Sequence, residues 1–443
     1  MPDLPKLLLQ IAVILLMARI VGWLFQKIHQ PQVIGEMIAG LLLGPSLLGW
    51  VAPKASAFLF PPESLGFLSS LSEIGLLLFM FLVGVELNPK ILKGRSHTAV
   101  VVSHVSILAP FFLGSALALY LYPRLSDDSV SFVSFALFIG TAMSITAFPV
   151  LARILAERKL LHTHLGIVAI ACAAIDDVTG WTIFAVVVFI IRSTESISTI
   201  WLMLLGIIGF VALMLFVIRP VLKRLESLYF KRGDVSHNML AVMMLVMLAS
   251  SWVTENLGIH ALFGAFLAGA IMPKSENFIE ALTVKINDAV IVLFLPLFFA
   301  FTGLRTSIGL LNGTQMWFFF GLILLVAVLG KFGGSSLAAR VSGMNWRESG
   351  ALGVLMNTRG LIELVLLNIG LDLGVISPTL FAMFVLMALI TTFMTSPLLE
   401  WIYFARLLPG KYAPIEQVPD KLEKELVSHA LSGIDSGKIE IGH

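Results

Sequence analysis

The sequence predicts an all-α polytopic membrane protein of about thirteen transmembrane helices, built from two inverted five-helix repeats. Three observations predict it. Of the 443 residues, 58% are hydrophobic and 13% charged, with a mean hydropathy of +0.97, whereas a soluble domain carries about 25% charged residues. The apolar residues gather in about thirteen segments, roughly 4–26, 32–52, 66–87, 97–121, 130–155, 162–191, 199–225, 237–254, 259–274, 284–304, 314–340, 347–371 and 377–404. At ~1.5 Å per residue, most of these are long enough to cross a hydrocarbon core of ~30 Å. Segments five and twelve, seven apart in order, are interrupted by glycine, proline and polar residues. Segments six and thirteen, and four and eleven, share that spacing, as two inverted repeats over segments 2–6 and 9–13 require.

Segment one is too long for a signal-peptide core and has no polar leader with a cleavage site, so it is expected to remain as a helix. Segment two holds Gly35, Gly40, Gly44 and Pro45. Segment three carries Glu73 and Glu86, and segment four carries His104, read as a hydrogen-bonded packing residue. Segment five contains Gly140-Thr141-Ala142-Met143-Ser144-Ile145-Thr146-Ala147-Phe148-Pro149. Segment six carries Asp176-Asp177 near its middle, and Cys172 close by. That single cysteine excludes an intramolecular disulfide framework and an all-cysteine metal site. Segment eleven carries Lys331 within Ala327-Val328-Leu329-Gly330-Lys331-Phe332-Gly333-Gly334. Segment twelve holds Gly350, Gly353 and Asn357-Thr358-Arg359-Gly360, with Glu363 beyond. The organisation expected is a transmembrane domain over 1–406, with a moving core of about 97–191 and 314–404 and the remainder mainly a dimer domain. A short cytoplasmic tail, 407–443, follows. That tail is too small for a nucleotide-binding domain. No GxGxxG or Walker A pattern follows a strand-like run, so ATP-driven pumping is not expected.

Lysine and arginine fix the orientation. One set of alternate loops and the C-terminus carry 22 of the 29, among them Arg19, Lys27, Lys90, Lys93, Arg95, Arg153, Arg158, Lys274 and Arg347. The opposite side carries Lys6, Lys54, Arg124, Arg192 and Arg305. The basic side is the cytoplasm, which places the N-terminus outside and the C-terminus inside. A net charge of +2 sorted by side leaves no pooled patch for nucleic acid. The remaining two cations, Lys331 and Arg359, fall inside apolar segments.

An intramembrane charge costs at least ~2.5–3.5 kcal/mol on insertion scales, so acids at that depth mark ion or proton paths by default. Asp176 and Asp177 are about 100° apart around a helix and line one cavity from two angles. Their oxygens suit a small hard cation, to which the hydroxyls of Thr141, Ser144, Thr146 and Thr179 can add. A carboxylate that binds either a proton or a metal ion, but not both, is sufficient for exchange. Interrupted helices bring carbonyls and helix ends to such a midplane site. A buried Lys331 needs a counter-ion, and a carboxylate of the pair is the natural one. Arg359 and Glu363 stand at i and i+4, where they can pair with each other, and Arg359 is the alternative partner for Asp176. Glu36, Glu73 and Glu86 either cap helices, pair with backbone or line a funnel.

These residues resemble the monovalent cation:proton antiporter-2 family, in the branch that includes plant cation/H+ exchangers. The resemblance rests on Gly40-Leu41-Leu42-Leu43-Gly44-Pro45-Ser46, Phe81-Leu82-Val83-Gly84-Val85-Glu86-Leu87, Ser144 to Arg153, Asp176-Asp177, and Asn357-Thr358-Arg359-Gly360-Leu361-Ile362-Glu363-Leu364. It implies a homodimer in the lipid bilayer, with a core of crossed interrupted helices that moves like an elevator. It implies Na+ or K+ exchanged for H+ with no cofactor, and Asp177 as the cation and proton site. Asp176 would pair with Lys331, and a chain with two acids would be electrogenic. A short tail is expected where longer members carry a large soluble C-terminal domain. Two other readings compete. A cation channel would want rings of equivalent groups rather than one asymmetric acid pair opposite a lysine. An intramembrane aspartyl protease would need acids on facing helices and a Gly-x-Gly-Asp run, which this sequence does not contain.

Overall fold

A computed structural model describes residues 4–28, 30–86, 97–127, 130–160, 163–192, 197–232 and 235–404. Leu87, Lys90, Lys93, Arg95, Arg406 and the tail 407–443 lie outside the described residues. Every regular element among those described is helical. Segment one forms α1 (Leu4–Lys27). Segment two forms α2 (Gln32–Leu43), which stops at Gly44-Pro45 and is followed by the short α3 (Leu48–Val51) and α4 (Pro53–Leu59). Segments three and four are α5 (Pro62–Glu86) and α6 (His97–Leu125). Segment five breaks into α7 (Phe132–Ser144) and α8 (Phe148–Glu157), and segment six is α9 (His164–Arg192). Segment seven runs through α10 (Ile197–Leu213) and a π turn into α11 (Arg219–Arg232). Then follow α12 (His237–Asn256), α13 (Ala261–Ala270) and α14 (Glu276–Ala289), which passes through another π turn into α15 (Leu295–Arg305). Segment eleven is α16 (Gly313–Val328), a π turn at Leu329–Gly333, and α17 (Gly334–Val341). Segment twelve breaks into α18 (Trp346–Met356) and α19 (Leu361–Asp372), bent by 42°. Segment thirteen is α20 (Pro378–Leu399).

Among the described residues, 10 spans are long and apolar enough to cross a membrane, the bent α18–α19 pair makes 11, and Phe132–Ser144 and Ala261–Ala270 are shorter apolar helices. These account for the thirteen apolar segments. Several helices begin where polar residues meet the apolar run and supply a cap. The side chains of Ser131, Asn345 and Ser377 each accept from a backbone N–H in the first turn of the helix they precede. Large apolar side chains such as Leu16, Trp50, Phe112 and Phe216 are exposed, as a hydrocarbon solvent allows.

The chain divides into two compact units. One comprises 1–66, 91–184 and 299–430, and the other 67–90, 185–298 and 431–443. The first holds both interrupted helices and the acid pair. Its apolar core joins Leu151, Ile154 and Leu155 of α8 to Cys172 and Ala173 of α9 and to Leu352, Leu355 and Met356 of α18. In the same unit α2 and α15 touch backbone to backbone. A Cβ on Gly303 would stand 2.2 Å from the carbonyl carbon of Gly40, so a larger residue there would force the two helices apart. In the second unit Lys274 donates to the carbonyls of Gly84 and Val85, capping the end of α5 with a cation where the helix dipole favours one.

Candidate functional site

The two breaks meet. Past Ser144 the chain runs extended, with Ile145 at ψ 137°, before α8 starts at Phe148. The backbone N–H of Ala147 donates to the carbonyl of Thr358 at 3.0 Å, so one break hydrogen-bonds the other. The second break is held from α20, where the Thr392 hydroxyl accepts from the Arg359 N–H and donates to the Arg359 carbonyl. Freed backbone groups at membrane depth thereby find partners inside the protein.

Asp176 is 2% exposed and surrounded by donors. Ser103 Oγ donates to its Oδ1 at 2.7 Å. Around Oδ2 stand Ser106 Oγ at 2.7 Å, Thr146 Oγ1 at 2.8 Å and Lys331 Nζ at 3.2 Å. Lys331 also donates to Thr146 Oγ1 at 2.5 Å, and its side chain and that of Asp176 are both fully buried. The local sequence explains how a long cation reaches this depth. Lys331 sits in the π turn, a widened turn that recurs at functional sites. A Cβ on Gly330 would lie 2.7 Å from Cα of Pro110, so only glycine lets α6 come close enough to present Ser103 and Ser106.

Asp177 is held differently. Its Oδ1 is buried without a hydrogen-bond partner, and the backbone N–H of Phe148, in the first turn of α8, reaches the carboxylate. The positive end of a half-helix thus faces the aspartate of the pair that has no salt bridge among the described residues.

Arg359 is 1% exposed and crosses to the other interrupted helix. Its Nη1 donates to the carbonyl of Ala142 and to Glu363 Oε1, and its Nη2 to the carbonyl of Met143. It therefore satisfies the open C-terminal end of α7 while pairing with Glu363 at 3.2 Å. Counted as ions, Asp176 balances Lys331 and Glu363 balances Arg359. Asp177 alone is left over.

Not every expected oxygen joins the acids. Thr141 Oγ1 donates to the Leu137 carbonyl, and Ser144 Oγ to those of Gly140 and Ile107, so both hydroxyls are engaged by backbone. Thr146, beyond the end of α7, reaches Asp176. The residues that sequence reading missed are Ser103 and Ser106. Their i, i+3 spacing puts them on one face of α6, which was the available signal. Of the glutamates, Glu36 is buried and accepts from Gln32, whereas Glu73 is exposed and accepts from Ser69. Among the described residues no group of three or more His, Cys, Asp or Glu comes together.

Arg359→Met is expected to destabilise the protein by about 3–5 kcal/mol, since Glu363 and two carbonyls then stay buried without their donor. Adding Glu363→Gln should recover part of that loss. Thermal unfolding of the two variants in one detergent checks the order; equal melting of Arg359→Met and the parent would show that the pair carries no structural weight.

Comparison with known proteins gives concordant matches. The sequence profile described as "Sodium/hydrogen exchanger, transmembrane" matches residues 12–403. The Na(+)/H(+) antiporter NhaS4 of Synechocystis is 45% identical over 398 residues, covering 90% of this chain and 97% of that protein. Cation/H(+) antiporter 17 of Arabidopsis thaliana is 43% identical over 92% of this chain, and K(+)/H(+) antiporter 1 of Saccharomyces cerevisiae is 34% identical over 89%. This chain spans 49% and 46% of their respective lengths. Among solved structures, the sodium proton antiporter MjNhaP1 from Methanocaldococcus jannaschii superposes with a TM-score of 0.64 at 16% identity, covering 90% of this chain and 97% of that one. At that identity the likeness speaks for the fold.

Proposed function

The chain belongs to the sodium/hydrogen exchanger family, and from that premise we propose that Asp177 is the site at which a monovalent cation and a proton compete. The protein is a multi-pass membrane antiporter, not an enzyme, and exchanges a monovalent cation for protons. The observation that carries the site assignment is the charge imbalance. Asp176 has four donors, one of them its counter-ion Lys331, whereas Asp177 keeps an oxygen without a partner beside a half-helix N-terminus. A carboxylate so placed is neutralised by a bound Na+ or K+ or by a proton, and binding one excludes the other.

Alternating access then follows from the crossed breaks. Arg359 keeps Glu363 and the open end of α7 compensated while they move, so the free energy of the transit depends on what the aspartate pair carries. On this reading the core of about 97–191 and 314–404 moves against the remainder in an elevator-like way, within a homodimer. The N-terminus is outside, the C-terminus is cytoplasmic in a bacterial-type cell membrane, and the exposed apolar side chains contact lipid. Thr141 and Ser144 donate to backbone carbonyls beside the break, which leaves their oxygen lone pairs available to the cation.

The test is purified protein in liposomes with a pH dye inside, titrated with Na+, K+ and Li+ in turn. Saturable, proton-coupled flux is the expected result, and it would also rule against a channel. Cation flux without proton movement would reject the reading.

A further inference from the structure

Arg305 ends α15 and is one of the few cations on the proposed outer side. Its side chain forms a joint with α19. Nη2 lies 2.5 Å from Asp372 Oδ1 and Nη1 lies 3.1 Å from Asn368 Oδ1, two acceptors one turn apart on the same helix face. Asn368 in turn donates to Thr302 Oγ1 at 2.9 Å, back on α15. The guanidinium also lies over the rings of Phe301 and Phe381, with centroids 5.4 and 6.0 Å away. Asp372 is the last residue of α19, so the cation serves two helix C-termini at once, where a positive charge is favoured.

The two sides of α15 are built to behave differently. Toward α2 the contact is backbone on backbone, at Gly40 and Gly303, and Ser46 adds hydrogen bonds to the Thr306 carbonyl and the Ile308 N–H. The core of that seam is glycine backbone, which has no rotamer to change. Toward α19 the joint is made of side chains alone, and it is partly exposed, the Arg305 side chain by 21% and that of Asp372 by 57%. At the outer end of the helices, an ion pair exposed to that extent is weak enough to break and re-form repeatedly. Yet α19 is the half-helix that carries Glu363 at its other end, beside the break.

We propose that the Arg305–Asn368–Asp372 joint is an outer latch, which holds the interrupted helix against the fixed α2–α15 seam and must release in each transport cycle. It rests on the antiport reading and the orientation given above. The latch acts by setting how the protein divides between inward- and outward-open states. Arg305 is thus a gating residue that does not touch the transported ion.

The experiment uses the full chain in proteoliposomes, carrying Arg305→Cys and Asp372→Cys together. The native Cys172 is buried, which confines labelling to the introduced pair. A short bifunctional methanethiosulfonate should join the two cysteines, as read by mass spectrometry. Joined protein should lose proton-coupled exchange down to the vesicle background, and a reductant should restore it. In parallel, Asp372→Asn alone should strengthen apparent cation affinity from the outer face and weaken it from the inner face, each by about two- to fivefold. Separate modification of the two cysteines would show that these helix ends are not apposed, and would overturn the latch. So would undiminished exchange by joined protein. Wild-type protein that moves no protons would instead reject the antiport reading itself, which is a different result.

Discussion

Asp177→Asn is expected to reduce cation-driven proton flux in liposomes to background while leaving the fold intact. The amide is nearly isosteric with the carboxylate, so packing against α8 changes little. It cannot lose or gain a proton in the working range, and it brings no charge for a cation to neutralise. Stability has a predicted sign as well. A buried carboxylate with an unpaired oxygen is costly when ionised, so the variant should unfold at the same temperature as the parent or higher in cation-free buffer. Adding Na+ or K+ separates them. Ligand at 100 times its Kd stabilises the protein that binds it by ~2.7 kcal/mol, and only the parent should show that thermal shift. A cation-dependent shift in Asp177→Asn equal to that of the parent would place the site elsewhere.

The elements legible in the sequence were those that break a hydropathic rule. Lys331, Arg359, Glu363 and the aspartate pair are charges in apolar runs, and charges in apolar runs must find one another. That Lys331 would meet a carboxylate of the aspartate pair and Arg359 would meet Glu363 was legible because few partners exist at that depth; that the carboxylate is Asp176 came from the family resemblance, and Arg359 stood as its alternative partner. The breaks after Ser144 and Met356 were legible from polar and small residues at matching places. Hydroxyl roles were not. A serine or threonine inside a helix has a standing acceptor, the carbonyl one turn back, and Thr141 and Ser144 take it. Thr146 lies past the last turn of α7, has no such acceptor, and turns to Asp176. Which of these happens depends on where the helix ends, to within one residue, and hydropathy does not resolve that. Ser103 and Ser106 were hidden for a related reason: two serines barely change the polarity of a long apolar helix. Arg305 was visible only as an outer-side charge, because its partners lie 63 and 67 positions away.

Wild-type exchange is expected to respond to membrane voltage, and Asp176→Asn is expected to remove that response. The argument starts from which cation neutralises Asp176. If Arg359 did, the pair would be permanent, since an arginine stays protonated, and the cycle would be electroneutral with one proton for one cation. The geometry points the other way. Arg359 is committed to Glu363 and to the carbonyls of Ala142 and Met143, and the ammonium of Lys331 stands 3.2 Å from Asp176. A lysine can surrender its proton in a way an arginine cannot. If the Asp176–Lys331 pair opens as protons load, each cycle carries a second proton against one monovalent cation, and one net charge crosses. At ~100 mV that charge is worth ~2.3 kcal/mol, or roughly a fifty-fold change in the gradient the protein can sustain. Lys331→Ala offers the complementary readout. It strands a fully buried carboxylate, at a cost of about 3–5 kcal/mol if the site is dry, and adding Asp176→Asn should recover much of that loss because the stranded charge is gone. The deciding measurement is cation-driven proton flux with the potential clamped at several values. Flux of the wild type that ignores voltage would eliminate the second proton and leave the Asp176–Lys331 pair as a structural tie between α9 and the π turn.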